Sequence, residues 1–195
     1  MKEITADVFI EISKNSHIKY EYEKNQNILV CDRILHTPFK YQFNYGFIPS
    51  TISLDNDPVD VVVVMDDELL AGSIIKCKFI GVLETKDDEG IDPKLIMCPC
   101  AKVDPTYLNI NDLTDLPEMT LKKIEYFFAH YKDLENKKVE IRDFKSRDSA
   151  IEIYKESLER HNNAVKQNED ALIYKKKANV ITNYFPFIVN NKIYH

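Results

Sequence analysis

Within six residues the chain places Asp55, Asp57 and Asp60 at the mouth of an aliphatic run, in the order Asp55-Asn-Asp57-Pro-Val-Asp60-Val-Val-Val-Val64. The run from Val59 to Met65 reads as a strand. Carboxylates crowded against a strand end repel one another, and partial burial strengthens that repulsion, so the arrangement is tolerable mainly when bound cations neutralise it. Carboxylate oxygens are the ligands that hard cations such as magnesium take. A second acidic group, Asp87-Asp88-Glu89-Gly90-Ile91-Asp92, precedes Lys94 and the next strand. Taken alone it reads as a solvated surface turn; beside the first group it gives two acidic loops placed to share several metals. Asp55-x-Asp57 also imitates the opening of a calcium-binding loop, but Val59 falls where a ligand is needed and Asp60 where the turn requires glycine. The calcium reading fails on both positions.

The first two-thirds of the chain predicts short strands: Val8 to Ile12, Ile18 to Glu23, Ile28 to Asp32, Val59 to Met65, Ser73 to Leu83, Lys94 to Cys98 and Lys138 to Phe144. In Ile18-Lys-Tyr-Glu-Tyr22 the alternation separates Ile18, Tyr20 and Tyr22 from a charged face with Lys19 and Glu21. Strands joined by irregular loops, without regular alternation with helices, imply a closed or partly closed antiparallel barrel rather than a parallel βαβ sheet. A helix is expected to begin near Asp115-Leu-Pro-Glu118, capped by Asp115, with Leu121, Ile124, Phe128 and Tyr131 as its apolar face. A second is expected from about Arg147 to His161, and a weaker third from Ala164 to Ala178, before the apolar run Phe185-Pro-Phe-Ile-Val189. With 195 residues the chain suits one domain. The expected division is a catalytic domain over 1–166 and an extension over 167–195, packed on its own barrel or on a neighbouring subunit.

Charge and small motifs narrow the function. Lys+Arg 26 against Asp+Glu 32 gives a net charge of −6, so the molecule as a whole repels nucleic acid and anionic membrane, and an anionic substrate needs cations to help it in. No segment approaches the roughly 18 apolar residues of a membrane span, and the N-terminus lacks a signal-peptide run, which makes a cytoplasmic location the default. Cys31, Cys77, Cys98 and Cys100 read as reduced core thiols, because Cys98-Pro-Cys100 lacks both the spacer and the second pair of a zinc site. The four glycines, Gly46, Gly72, Gly81 and Gly90, form none of the close pairs of phosphate-binding or dinucleotide loops. Metalloprotease and serine-hydrolase motifs are absent as well.

Lys19, Arg33, Lys94 and Lys132 each stand beside acidic or aromatic residues. Singly, each reads as a surface charge or an ion pair. Converging, they suit a densely anionic substrate, which takes arginine forks, lysine point charges and tyrosine hydroxyls on its phosphate oxygens. Tyr41 and Tyr45 are either such donors or aromatic core.

These segments resemble the soluble inorganic pyrophosphatases of the first family in their compact bacterial form. The stretch Asp55-Asn-Asp57-Pro-Val-Asp60-Val is similar to that family's signature. Around it Ile18-Lys-Tyr-Glu21, Asp32-Arg33, Asn44-Tyr-Gly-Phe-Ile48, Gly90-Ile-Asp-Pro-Lys94 and Phe127-Phe-Ala-His-Tyr-Lys-Asp-Leu-Glu135 follow in the family's order, over about residues 8 to 160. The resemblance implies an α+β fold, an oligonucleotide-binding (OB) type five-stranded barrel with helices packed on it, usually assembled as a hexamer. It implies hydrolysis of pyrophosphate with several Mg2+ ions per active site. Asp55, Asp60 and Asp92 would hold the principal ion, Asp87, Asp92 and Glu21 those arriving with substrate, and Glu11 would be an outer member of the set. Asp57 would be the base on the attacking water. Lys19, Arg33, Tyr45, Lys94, Tyr131 and Lys132 would contact phosphate, with Tyr41 in support. The chain departs from the family's frequent pattern at Gln42-Phe43, at Ala129 and in lacking a tryptophan near Lys138. Two other readings are a metal-dependent hydrolase of other phosphate compounds, and a non-catalytic nucleic-acid-binding barrel with aromatic stacking platforms near Tyr45.

Overall fold

The computed structural model describes residues 3–87 and 90–184, with side chains described as far as Glu169. Nine strands and two α-helices follow in the order β1 (Thr5–Ile12), β2 (Ile18–Glu23), β3 (Ile28–Ile34), β4 (Asn44–Phe47), β5 (Asp60–Val63), β6 (Ile74–Asp87), β7 (Gly90–Ile91), β8 (Lys94–Pro99), α1 (Glu118–His130), β9 (Glu140–Lys145) and α2 (Arg147–Tyr184). The fold is α+β. Strands pair in the order β1-β4-β5-β8-β6, and β6 pairs in turn with β1, so five strands form a closed ring of ladders. Beyond the ring, β6 extends to pair with β7 and β9, while β2 and β3 form a separate hairpin.

The ring is antiparallel except between β5 and β8, which run parallel in the register Val61↔Leu95, Val62↔Ile96 and Val63↔Met97. A wholly antiparallel barrel was the expectation. The long β6 intervenes in sequence between these two strands and reverses the chain, so β8 re-enters beside β5 in the same direction. Valines 61, 62 and 63 and residues 95 to 98 are all completely buried, as befits central strands covered on both faces. The strand β4 was missed by periodicity: all four of its residues are buried, so no polar alternation marks it.

Other elements refine the expectation. Pro117 occupies the N-cap of α1, and Asp115 instead accepts the backbone N–H groups of Asn111 (2.8 Å) and Asp112 (3.0 Å), closing the turn before the helix. Phe127 joins Ile124, Phe128 and Tyr131 in the core, where the rings meet Tyr41, Phe43 and Tyr45; Phe43 stacks on Phe128 at 5.6 Å. The two helices expected after Arg147 are one 38-residue helix. His161-Asn-Asn-Ala164 contains neither proline nor glycine, and asparagine lowers helix propensity without ending a helix. Near its start α2 buries Ala150, Ile151 and Ser157, and Tyr154 lies against Phe79 of β6 at 4.9 Å; residues 165–169 are exposed on every side. The Phe185–Val189 run and the side chains of Leu172, Ile173 and Tyr174 lie outside the described residues. Cys77, Cys98 and Cys100 are buried free thiols, but Cys31 is exposed, because β3 pairs only with β2.

Gly46 sits where β4 crosses closest to β1. A Cβ there would lie 1.8 Å from the Phe9 carbonyl oxygen and 3.0 Å from the Ile10 Cα, both backbone atoms of the ring. Gly46→Ala therefore forces the β1–β4 ladder apart. Overpacking of this kind costs about 1–3 kcal/mol, and since no flexible side chain can yield, the upper part of that range is expected in urea unfolding. A change below about 0.5 kcal/mol, the size of an ordinary surface substitution, would contradict it.

Candidate active site

The parallel β5–β8 pair determines where charge collects. Asp60 opens β5 and Lys94 opens β8, one step before the Val61↔Leu95 partners, so both lie at the same end of the barrel. In an antiparallel pair they would have faced opposite ends. Asp55, Asp57 and Pro58 lead into β5 and Asp92 leads into β8. The hairpin β2–β3 brings Lys19 and Arg33 opposite one another, with Glu21 and Asp32 beside them. The far end of β6 supplies Asp87, β1 supplies Glu11, and the exit of α1 supplies Tyr131 and Lys132.

These groups enclose one cavity of about 380 Å³. Every residue singled out from the sequence lines it: Asp55, Asp57, Asp60, Asp87, Asp92, Glu11 and Glu21 among the acids, Lys19, Arg33, Lys94 and Lys132 among the bases, and Tyr41, Tyr45 and Tyr131. Lys24, Asp32, Lys137 and Lys138 line it too and were not assigned a part. Their sequence signal is weak. Each is a charged residue at or near a strand end, as most surface lysines are.

Inside the cavity Lys19, Arg33, Lys94 and Lys132 each meet at least one carboxylate. The Lys94 ammonium, on a residue only 5% exposed, lies between Asp60 and Asp92 and bonds to both. Desolvation alone would lower its pKa, but Asp60 and Asp92 outweigh that and raise it. Lys19 is held by Glu21 and lies 3.4 Å from Asp32; Lys132 is 3.4 Å from Asp87 and stands over the Tyr131 ring at 5.4 Å. Arg33 contacts Asp32 through Nη1 (3.4 Å) and Glu135 through Nε (3.2 Å). Asp57 is more exposed than Glu21: its side chain is 80% accessible against 59%, its backbone N–H donates to Asp55 at 3.0 Å, and Lys24 approaches to 3.8 Å.

The carboxylates remain short of positive charge. Glu11 is pushed up to about 7, chiefly by burial, with Asp60 adding to it and the Tyr22 N–H (2.8 Å) opposing it. Asp55 is raised by burial against the pull of the Asp57 N–H, and Asp92 by burial and Asp60 against Lys94. Burial likewise raises Tyr41, Tyr45 and Tyr131, so all three phenols keep their protons at neutral pH. Among the described residues no three Asp, Glu, His or Cys side chains converge as a preformed metal cage. The donors on offer are carboxylate oxygens with Lys94 between two of them, a set that fits hard cations entering with an anion.

Residues 8–162 match the family model described as inorganic pyrophosphatase. The chain is 45% identical over 152 residues to an inorganic pyrophosphatase of Helicobacter pylori, covering 77% of this chain and 88% of that protein. It is 47% identical over 155 residues to one from Saccharolobus solfataricus, covering 79% and 90%. Among solved structures, the H. pylori inorganic pyrophosphatase matches with a TM-score of 0.80 at 41% identity, over 83% of this chain and 98% of that one. The chain belongs to the inorganic pyrophosphatase family. It is a hydrolase, and its reaction is the hydrolysis of pyrophosphate to two phosphates. Neither a hydrolase of other phosphate compounds nor a nucleic-acid-binding barrel is favoured. No helix among the described residues is long and apolar enough to cross a membrane.

Glu11 gives the charge deficit a measurable sign. Its folded pKa of about 7 lies above the ordinary 4.5, so the folded state holds the proton more tightly than the unfolded chain. Folding therefore loses stability as pH rises from 4.5 through 7, and the full cost applies above that. In buffer free of divalent cations, Glu11→Gln should raise unfolding free energy by about 1–3 kcal/mol at pH 8 and leave it nearly unchanged at pH 4.5. Equal effects at both pH values would refute the assignment.

Proposed function

We propose that this cavity hydrolyses pyrophosphate by attack of a water whose proton passes to Asp57, with Mg2+ held by the carboxylates. The supporting observation is that all the acids, bases and phenols needed line one small polar cavity. Asp55, Asp60 and Asp92 would hold the principal ion, and Asp87, Asp92 and Glu21 the ions accompanying substrate. Bound magnesium would supply Lewis acidity, lowering the pKa of the attacking water and neutralising charge on the departing phosphate. Lys19, Arg33, Lys94 and Lys132 bind phosphate oxygens, and Tyr45 and Tyr131 donate to them from uncharged hydroxyls, with Tyr41 behind. A phosphate group at Lys94 would replace its carboxylate partners and leave Asp60 and Asp92 available to hold a cation. Asp57 suits the base because its exposed carboxylate can reach water, whereas Asp60 and Asp92 are engaged with Lys94. Catalysis is then positioning and electrostatics, without a covalent intermediate.

Phosphate release from pyrophosphate, measured with magnesium and with chelator, tests the metal requirement. Activity surviving exhaustive chelation would refute it. Asp57→Asn should slow turnover at saturating substrate by about 10²–10⁴-fold while the melting temperature holds. Near-wild-type turnover across the pH range would remove Asp57 from the role of base.

The same reading includes a cytoplasmic hexamer whose catalytic domain is residues 1–166, with 167–195 as a packed extension. Two observations support the division: every assigned group lies between Glu11 and Lys132, and the family match ends at residue 162. A chain ending after Lys166 should retain its turnover per folded subunit and show a lower melting temperature or altered mass by light scattering. A folded, correctly assembled truncation without activity would overturn the division.

A further inference from the structure

Glu135 closes the Phe127–Glu135 segment and takes no place on the cavity wall. Its side chain is nevertheless 6% accessible, more buried than the site carboxylates Asp87 (19%) and Asp92 (22%). A carboxylate so far from water needs a counter-charge. The chain provides one through a tight reversal. After α1 the short turn Asp133–Glu135 closes with the Glu135 N–H on the Lys132 carbonyl (2.9 Å), and Asn136 adopts a left-handed φ of 55°. The segment that sends Tyr131 and Lys132 to the cavity thus turns Glu135 beneath Arg33, with Oε1 3.2 Å from Nε.

The contact has an unusual character. It lies at ion-pair distance but is not aligned as a hydrogen bond, and neither buried atom has another hydrogen-bond partner. Arg33 also meets Asp32 through Nη1 at 3.4 Å, so carboxylates hold the guanidinium at Nε and at Nη1 while the residue lines the cavity. A planar fork recognises phosphate only when its plane is oriented, and a free arginine gives up rotamer freedom to reach that orientation.

We propose that Glu135 is a positioning residue for Arg33: a buried counter-charge that orients the guanidinium so that its remaining donors meet a phosphate group of pyrophosphate. The proposal rests on the reading of Arg33 as a phosphate ligand, and a mutant cycle separates the two. Glu135→Gln keeps the shape and removes the charge. It should lower kcat/KM about tenfold, with the loss falling on KM and kcat staying within about threefold. Arg33→Ala should lower kcat/KM about 100-fold, and the double variant should lose no more than Arg33→Ala alone. If Arg33→Ala is damaging while Glu135→Gln only lowers the melting temperature and leaves KM unchanged, Glu135 is structural and the proposal falls. Losses that multiply to about 10³-fold in the double variant would overturn it equally. Wild-type kinetics for Arg33→Ala would overturn the phosphate-ligand reading, and this proposal with it. Should Glu135→Gln yield too little folded protein, Glu135→Asp, which keeps the charge on a shorter stem, enters the same cycle with the same requirement of non-additivity.

Discussion

The ammonium of Lys94, nearly sealed from water between Asp60 and Asp92, is the interaction on which the rest of the site depends. Removing either carboxylate would leave a buried cation underpaid in charge, and removing the lysine would leave two carboxylates facing each other in low dielectric. Either loss is among the more destabilising changes a protein can suffer. The triad also sets the electrostatics of its neighbours, since Asp60 raises Glu11, Asp55 and Asp92 and acts on all three buried phenols. The cavity is therefore one coupled charge system, in which a change of charge at Asp60 is felt by its carboxylate and phenol neighbours alike.

Topology makes this coupling possible. Strand starts gather at one end of a barrel only when strands run parallel, and β5–β8 is the one parallel pair in the ring. An acidic loop at each of these two starts then faces the same space. The hairpin β2–β3 stands outside the ring and brings its charged face, Lys19 and Glu21 with Arg33, over that space. The aromatic layer from α1 forms another wall. Phe128 packs against both Tyr45 and Tyr131, and Tyr41 lies against Tyr45, so the three phenols are fixed by packing of their own rings.

Much of this was legible in the residues because charge and apolar content are so sharply segregated. Asp55 to Asp60 against an unbroken valine run identifies a strand mouth with a cation requirement, and the resemblance then carried the remaining positions. What escaped did so for separate physical reasons. Elements buried on every side carry no alternation, which hid β4; and no strand's own residues name its neighbour, so an expected antiparallel barrel gave no sign of the parallel β5–β8 pair. The α2 boundary failed for a third reason: two asparagines weaken a helix, yet they do not stop one whose flanking turns are already formed. Glu135 was visible as a motif residue, but nothing in its spacing tells that the chain reverses at Asn136 and tucks it under Arg33.

The raised carboxylate pKa values and the misaligned Arg33–Glu135 pair have a common physical sense. A site in which every charge were ideally satisfied by its own protein neighbours would have to break those bonds to bind a tetra-anion and its metals. Here the partners are close but incomplete: Glu11 and Asp55 are short of positive charge, Asp57 is open to water, and Arg33 is held without an aligned hydrogen bond at Nε. The stability given up at those positions is supplied elsewhere, by the completely buried aliphatic interior of β1, β5, β6 and β8 and by the ring contacts behind Tyr45. A ligand can then supply interactions that Glu11, Asp55 and Arg33 do not make within the chain, which offsets the exchange of partners at Lys94.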